Sequence, residues 1–217
     1  MEALLGTDDF VPFESRQCMF NEIMEALKDE NIQVIGICGM GGIGKTKLVL
    51  EIGKKAKHEG LFDTVVMTVA SKDPDIRRIQ GILADMLSLA FKGTSEVDRA
   101  TELLKILKKK KRVLIILDDV WEKLDLADIG IPCGLDHMGC KLVLTTRRTQ
   151  VCDDMHCQRK VHLNVLNDDE ALYLFSKHAR IRDGNFQRHS KAKEVVKECA
   201  GLPLAIETVG SALASKR

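Results

Sequence analysis

An α/β fold, with a parallel sheet flanked by helices and a small all-helical unit after it, is what the 217-residue sequence predicts. Three observations predict it. Short aliphatic runs alternate with longer stretches of helical periodicity, the signature of parallel strands joined by crossover helices. A glycine-rich turn, GMGGIGKT at 39–46, lies between one such run and one such helix. After about residue 164 the alternation stops, and helical patterns follow one another with no strand between them.

Five strands are expected in order: Val34 to Cys38, Thr64 to Val69, Val113 to Leu117, Lys141 to Thr145 and the weaker Val161 to Leu163. Runs such as LIIL and LVL are continuously aliphatic, as strands buried on both faces should be. Between them, Leu48, Ile52 and Ala56 fall at i, i+4 and i+8 after the glycines. Ile76, Ile79, Leu83 and Met86 repeat that spacing behind the helix start Asp73-Pro74-Asp75, and Leu103, Leu104, Ile106 and Leu107 mark a third helix. Asp168 to Ala179, Lys191 to Cys199 and Leu202 to Leu213 read as three further helices. The expected organisation is an α/β unit over 1–164 that carries the glycine-rich turn and a helical unit over 165–217.

Composition narrows the function classes. With 45% hydrophobic and 30% charged residues and a formal charge of +1, the chain has globular composition and no bulk electrostatic basis for binding nucleic acid or a membrane. The longest aliphatic run, Val113 to Leu117, is far below the roughly 18 residues of a membrane span. The opening MEALLGTDDF has neither a basic region nor an apolar signal core, so a soluble, cytoplasmic protein is expected. The 7 cysteines lie singly with no CxxC, which points to reduced thiols. Cys133, His137, Cys140, Cys152, His156 and Cys157 are zinc-ligand types in one region, but their gaps fit common zinc modules poorly. The run KKKKR at 108–112 joins a helix end to a buried strand, where cations complement the helix dipole; this is preferred to a nucleic-acid patch.

Gly39, Gly44, Lys45 and Thr46 satisfy GxxxxGK(S/T) in the strand-then-helix context that makes the pattern a P-loop. Bare glycines let successive amides gather around phosphate oxygens, and the following helix adds its positive end. The loop Gly39, Met40, Gly41, Gly42, Ile43 and Gly44, with Lys47 beyond it, is therefore the expected phosphate cradle. Lys45 is expected on the β and γ phosphates and Thr46 on Mg²⁺, a cation that takes hard oxygens. In LIILDDVW, Leu114 to Trp121, a strand delivers Asp118 and Asp119 at its carboxyl end, where open α/β sheets bind ligands. Asp118 is expected in the magnesium shell, and Asp119 as the group that orients or deprotonates an attacking water. In GCKLVLTTRR, Arg147 is a candidate reader of terminal phosphate charge, its planar fork suiting phosphate oxygens. Arg148 is expected at the surface.

GMGGIGKT, LIILDDVW, KLVLTTR and then GLPLA at Gly201 to Ala205, in this order, resemble the NB-ARC nucleotide-binding region of plant NLR disease-resistance proteins. The tryptophan closing LIILDDVW, with LFDTVVMTVASKDPDIRRIQ at 61–80, is similar to the branch that carries an N-terminal coiled coil. The resemblance implies an ADP/ATP switch of the STAND class, related to AAA+ machines, with slow Mg²⁺-dependent hydrolysis. It implies other receptor domains, or self-association, as partners. It also implies that Pro203 lies near adenine and ribose, and makes Phe13 and Arg16 of FESR candidates for the base. Lys47 stands where the family usually has threonine or serine, leaving its backbone amide for the α phosphate. The chain ends before a second ARC subdomain or leucine-rich repeats, so a fragment or truncated product is expected. Two other readings stay open: a turnover P-loop ATPase or phosphotransferase, and an interaction module that no longer uses nucleotide.

Overall fold

The computed structural model describes residues 13–132, 139–181 and 190–215. Among them the order of elements is α1 (Glu14–Lys28), β1 (Val34–Cys38), α2 (Lys45–His58), β2 (Thr64–Ser71), α3 (Ile76–Met86), α4 (Glu96–Lys109) and β3 (Val113–Val120). There follow α5 (Leu126–Ile129), β4 (Cys140–Thr146), α6 (Thr149–Asp154), β5 (Arg159–His162), α7 (Asp168–His178), α8 (Ser190–Glu198) and α9 (Pro203–Ala214). All strand pairs are parallel, in the order β2-β3-β4-β1-β5.

Alternate strand residues feed two cores. Ile35 and Ile37 of β1 and Leu114 and Ile116 of β3 pack with Leu48 and Ile52 of α2 and Ile23 and Leu27 of α1. Val113, Ile115 and Leu117 face the other way, onto Ile79 and Leu83 of α3 and Leu103 and Leu107 of α4. This two-sided burial is why the strands are continuously aliphatic. A third cluster, including Leu166, Leu174, Phe175, Val196 and Ile206, holds α7, α8 and α9 together.

Local chemistry sets the helix ends. The Asp75 side chain caps α3 through the Arg78 amide, and Ser95 caps α4 through Asp98. Lys108 and Lys109 of the basic run fall in the last turn of α4, where the dipole favours them, and Arg112 pairs with Asp63. Asn167 and Glu170 form a capping box on α7, and Pro203 occupies the first turn of α9.

The structure departs from the sequence expectations in several places: the short helices α5 and α6 were not expected, β2 runs on to Ser71, and β5 is Arg159–His162 in place of Val161 to Leu163. Helix α1 was not expected; it buries Ile23, Met24, Ala26 and Leu27, and the Lys141 ammonium donates to its last carbonyls, at Ala26 and Asp29. Strand β3 does not stop at Leu117 but runs through the two aspartates to Val120. Its register against β4 slips there, with Leu117 opposite Leu144 but Val120 opposite Thr146, so β3 carries one extra residue at Asp118–Asp119. Such a bulge re-aims side chains.

Candidate nucleotide site

The loop 39–44 leaves the carboxyl end of β1 and enters α2, at the edge of a cleft of about 350 Å³, a size at the lower end of small-molecule sites. Gly44 is the N-cap of α2 with φ 100° and Gly42 has φ 75°, both left-handed conformations that glycine takes without strain. The Lys45 side chain is 7% exposed and curls back over the loop, its ammonium donating to the carbonyls of Gly39 at 2.7 Å and Met40 at 2.8 Å. Burial lowers its pKa, as does the nearby Arg147 cation, while Asp119 and Asp118 oppose the shift. The Met40 side chain is 62% exposed, whereas Ile43 is buried and fixes the loop from below.

Thr46 and Asp118 meet at the base of the cleft. The Thr46 hydroxyl donates to Asp118 Oδ2 at 2.8 Å, and Thr145 Oγ1 donates to Oδ1 at 2.6 Å. The spacing of the Thr46 and Asp118 oxygens is close to the edge, about 3 Å, of an octahedron with bonds of about 2.1 Å, so this hard-oxygen pair fits Mg²⁺. Among the described residues no group of three or more His, Cys, Asp or Glu side chains is disposed to hold a metal. Of the six zinc-ligand types noted in the sequence, Cys133 and His137 lie outside the described residues.

Asp119 sits on the bulge with φ 55°, an unfavourable conformation for a residue with a Cβ. Its amide donates to Thr145 Oγ1 at 2.9 Å. Trp121 Nε1 donates to its Oδ2 at 3.0 Å, and Arg147 Nε lies 3.4 Å from its Oδ1. The Arg147 guanidinium stacks over the Trp121 ring, 4.8 Å from the centroid, and its Nη1 lies 2.8 Å from where a Cβ on Gly41 would be. Arg147 thus faces the loop, while Arg148 reaches the Trp121 carbonyl at the surface.

The helical unit closes one side of the cleft. The Leu204 amide donates to the Gly42 carbonyl at 3.2 Å, and a Cβ on Gly42 would meet Leu204 Cβ at 2.9 Å. Lys47 of α2 pairs with Glu207 of α9 at 2.8 Å. Pro203 lines the main cleft and also a smaller adjoining hollow, which Phe13, Arg16, Ile43, Leu166 and Leu174 share. Phe13 stands edge-on to Tyr173 at 6.1 Å. Arg16 is 6% exposed and donates to the Ile43 carbonyl at 3.3 Å; burial lowers its pKa, with Glu170 opposing. The structure brings the sequence-predicted site residues to one cleft and its adjoining hollow, except Gly39 and Met40, which line neither and meet the site through their carbonyls at Lys45. Sequence reasoning missed Thr145, Leu204 and Glu207: the TT of KLVLTT was a signal for the first, but only the packing of α9 reveals the others.

A model of the NB-ARC domain matches residues 16–183. The disease resistance protein UNI of Arabidopsis thaliana is 35% identical over 213 residues, covering 94% of this chain and 24% of that protein. The chain spans about a quarter of the length of the curated relatives it matches. Among solved structures, Cdc6p from Pyrobaculum aerophilum superposes with a TM-score of 0.68 at 13% identity, covering 100% of this chain and 66% of that one. The STAND protein with a tetratricopeptide repeat sensor, PH0952 of Pyrococcus horikoshii, gives 0.57 at 21% identity over 92% of this chain and 29% of that one. At these identities the structural neighbours establish the fold alone, a P-loop ATPase fold of the STAND and AAA+ kind. No helix among the described residues is long and apolar enough to cross a membrane.

Proposed function

Because the chain belongs to the NB-ARC family, we propose that it is the nucleotide-binding module of a plant intracellular immune receptor, an ADP/ATP switch with slow Mg²⁺-dependent hydrolysis. It acts in the cytoplasm with the receptor's other domains, or a second copy, as partners. The observation that carries the switch reading is the direct seating of α9 on the phosphate loop, through Leu204 N to Gly42 O and Lys47 to Glu207. A polyanion held by that loop cannot be indifferent to where α9 sits. A ligand moves a two-state equilibrium only through its difference in affinity for the states, and a swing from 1:99 to 99:1 needs about 5.5 kcal/mol. The units over 1–164 and 165–217 are the bodies that we propose to move.

In this reading Lys45 turns its ammonium from the Gly39 and Met40 carbonyls to the β and γ phosphates, while the first-turn amides of α2 hold their oxygens. Thr46 and Asp118 would hold Mg²⁺, which would supply charge neutralisation at the phosphates. Arg147 senses the terminal phosphate beside Gly41, and Phe13, Arg16 and Pro203 border the base and ribose. Asp119 orients the attacking water. Its carboxylate is held in place by Trp121 Nε1 and Arg147 Nε.

Nucleotide released from the denatured purified protein, separated by chromatography, tests the binding reading: stoichiometric ADP supports it. No nucleotide, with no binding on adding Mg²⁺ and ADP, would instead identify an inert interaction module. A steady-state phosphate-release assay tests the switch reading, since turnover above roughly one per second belongs to a working ATPase.

A further inference from the structure

The end of α6 brings two thiols together for a reason already present in its backbone. The sequence CDDMHC, Cys152 to Cys157, terminates the helix with His156 at φ 53°. The His156 amide donates to the Asp153 carbonyl at 2.9 Å and the Cys157 amide to the Cys152 carbonyl at 2.9 Å. This pair of bonds is a Schellman motif, in which the residues at the two ends of the longer hydrogen bond pack side chain against side chain. Here those two residues are both cysteine.

Gly36, in the middle of β1, makes room for them. A Cβ at Gly36 would lie 2.6 Å from Cys152 Sγ and 2.9 Å from Cys157 Sγ, so the two sulfurs share the space that a side chain would fill. Both sulfurs lie against one point, the proximity that a disulfide requires. The two thiols differ. Cys152 is fully buried, and Cys157 is the outer one, 7% exposed between the exposed His156 and Gln158. The hydrogen bond between them holds Cys157 below the ordinary thiol range, aided by Lys160, and with burial pushes Cys152 above it.

We propose that Cys152 and Cys157 are an oxidisable dithiol that closes to an intrachain disulfide in the presence of a hydroperoxide. The Cys157 thiolate attacks a peroxide oxygen: an S–O bond forms, the O–O bond breaks, and the departing oxide takes a proton, leaving a sulfenic acid. The Cys152 sulfur then attacks that sulfur: an S–S bond forms, the S–O bond breaks, and the hydroxide leaves as water with the Cys152 proton. Two electrons pass from the sulfurs to the peroxide. The site is independent of the nucleotide reading.

A third thiol makes the pairing testable. Cys38 lies on the same strand as Gly36, its Sγ 3.1 Å from His162 Nδ1. Cleavage by trypsin puts Cys152 and Cys157 in one peptide, 149–159, and Cys38 in another, 29–45. The native full chain is treated with equimolar hydrogen peroxide, quenched in acid, alkylated with iodoacetamide in denaturant, digested and weighed. Peptide 149–159 is expected unalkylated and lighter by two hydrogens, and alkylated at both cysteines when dithiothreitol precedes alkylation. In Cys152→Ser, dimedone is expected to label Cys157. Peptide 149–159 alkylated at both positions without reduction, or crosslinked to 29–45, would overturn the proposal.

Discussion

Replacing Gly42 by alanine tests whether α9 rests on the phosphate loop. The backbone at Gly42 is left-handed, φ 75°, a conformation that a residue with a Cβ holds at a cost of about 1 kcal/mol. The new Cβ would also stand 2.9 Å from Leu204 Cβ and 3.1 Å from Leu204 Cδ2, well inside the ordinary carbon–carbon separation of about 3.5–4.0 Å. Rotating the exposed Leu204 side chain relieves the Cδ2 contact, but its Cβ is fixed to the backbone, so the first turn of α9 must shift away. That shift gives up the Leu204 amide bond to the Gly42 carbonyl, a loss of about 1 kcal/mol. Gly42→Ala should therefore destabilise the chain by about 2–3 kcal/mol in urea unfolding. Gly60 supplies the control, with φ 67° and nothing within 4 Å of its would-be Cβ, so Gly60→Ala should cost only the backbone part, about 1 kcal/mol. Equal costs for the two variants would refute the docking of α9 on the loop.

Three other outcomes follow from the same geometry. The Lys47–Glu207 pair is partly exposed, at 41% and 24%, so a double-mutant cycle with Lys47→Met and Glu207→Gln should give a coupling of only about 0.5 kcal/mol. That coupling should fade in molar salt, and one that persists there would contradict a screened ion pair. The chain has one tryptophan, and Arg147 covers it, so ATP should change Trp121 emission more than ADP does if Arg147 turns to the terminal phosphate. Arg147→Ala should abolish that difference, and a variant that still distinguishes the two nucleotides would count against the assignment. Asp118→Ala should raise the Mg²⁺ concentration needed for ATP binding by on the order of 10–100-fold in magnesium titrations; an unchanged requirement would remove Asp118 from the metal site.

The parts of the fold that depend on short-range pattern were legible in the sequence. The phosphate loop announces itself because glycines, lysine and threonine fall in fixed order between an aliphatic strand and an amphipathic helix. The central strands β1, β3 and β4 are legible because burial on both faces leaves an aliphatic run in each, whereas β5, RKVH, buries only Val161 and reads weakly. The end of β3 was not legible, since aspartates are depleted in strands and a bulge leaves no mark in composition. Helix α1 did leave one: Phe20, Ile23, Met24 and Leu27 lie at i, i+3, i+4 and i+7. Glu207 and Leu204 belong to the candidate site only through the docking of α9, a long-range contact that no local pattern encodes. The same holds for Lys47, a departure from the family pattern whose ammonium finds a carboxylate 160 residues away.

The most direct measurement is calorimetric titration of the wild-type chain and of Lys45→Ala with ADP and Mg²⁺. Lys45 is the buried cation lying across the phosphate loop, so the wild type should bind one ADP and the variant none within reach of the method. Comparable ADP affinity in both proteins would contradict the claim that this loop and its lysine hold the phosphates.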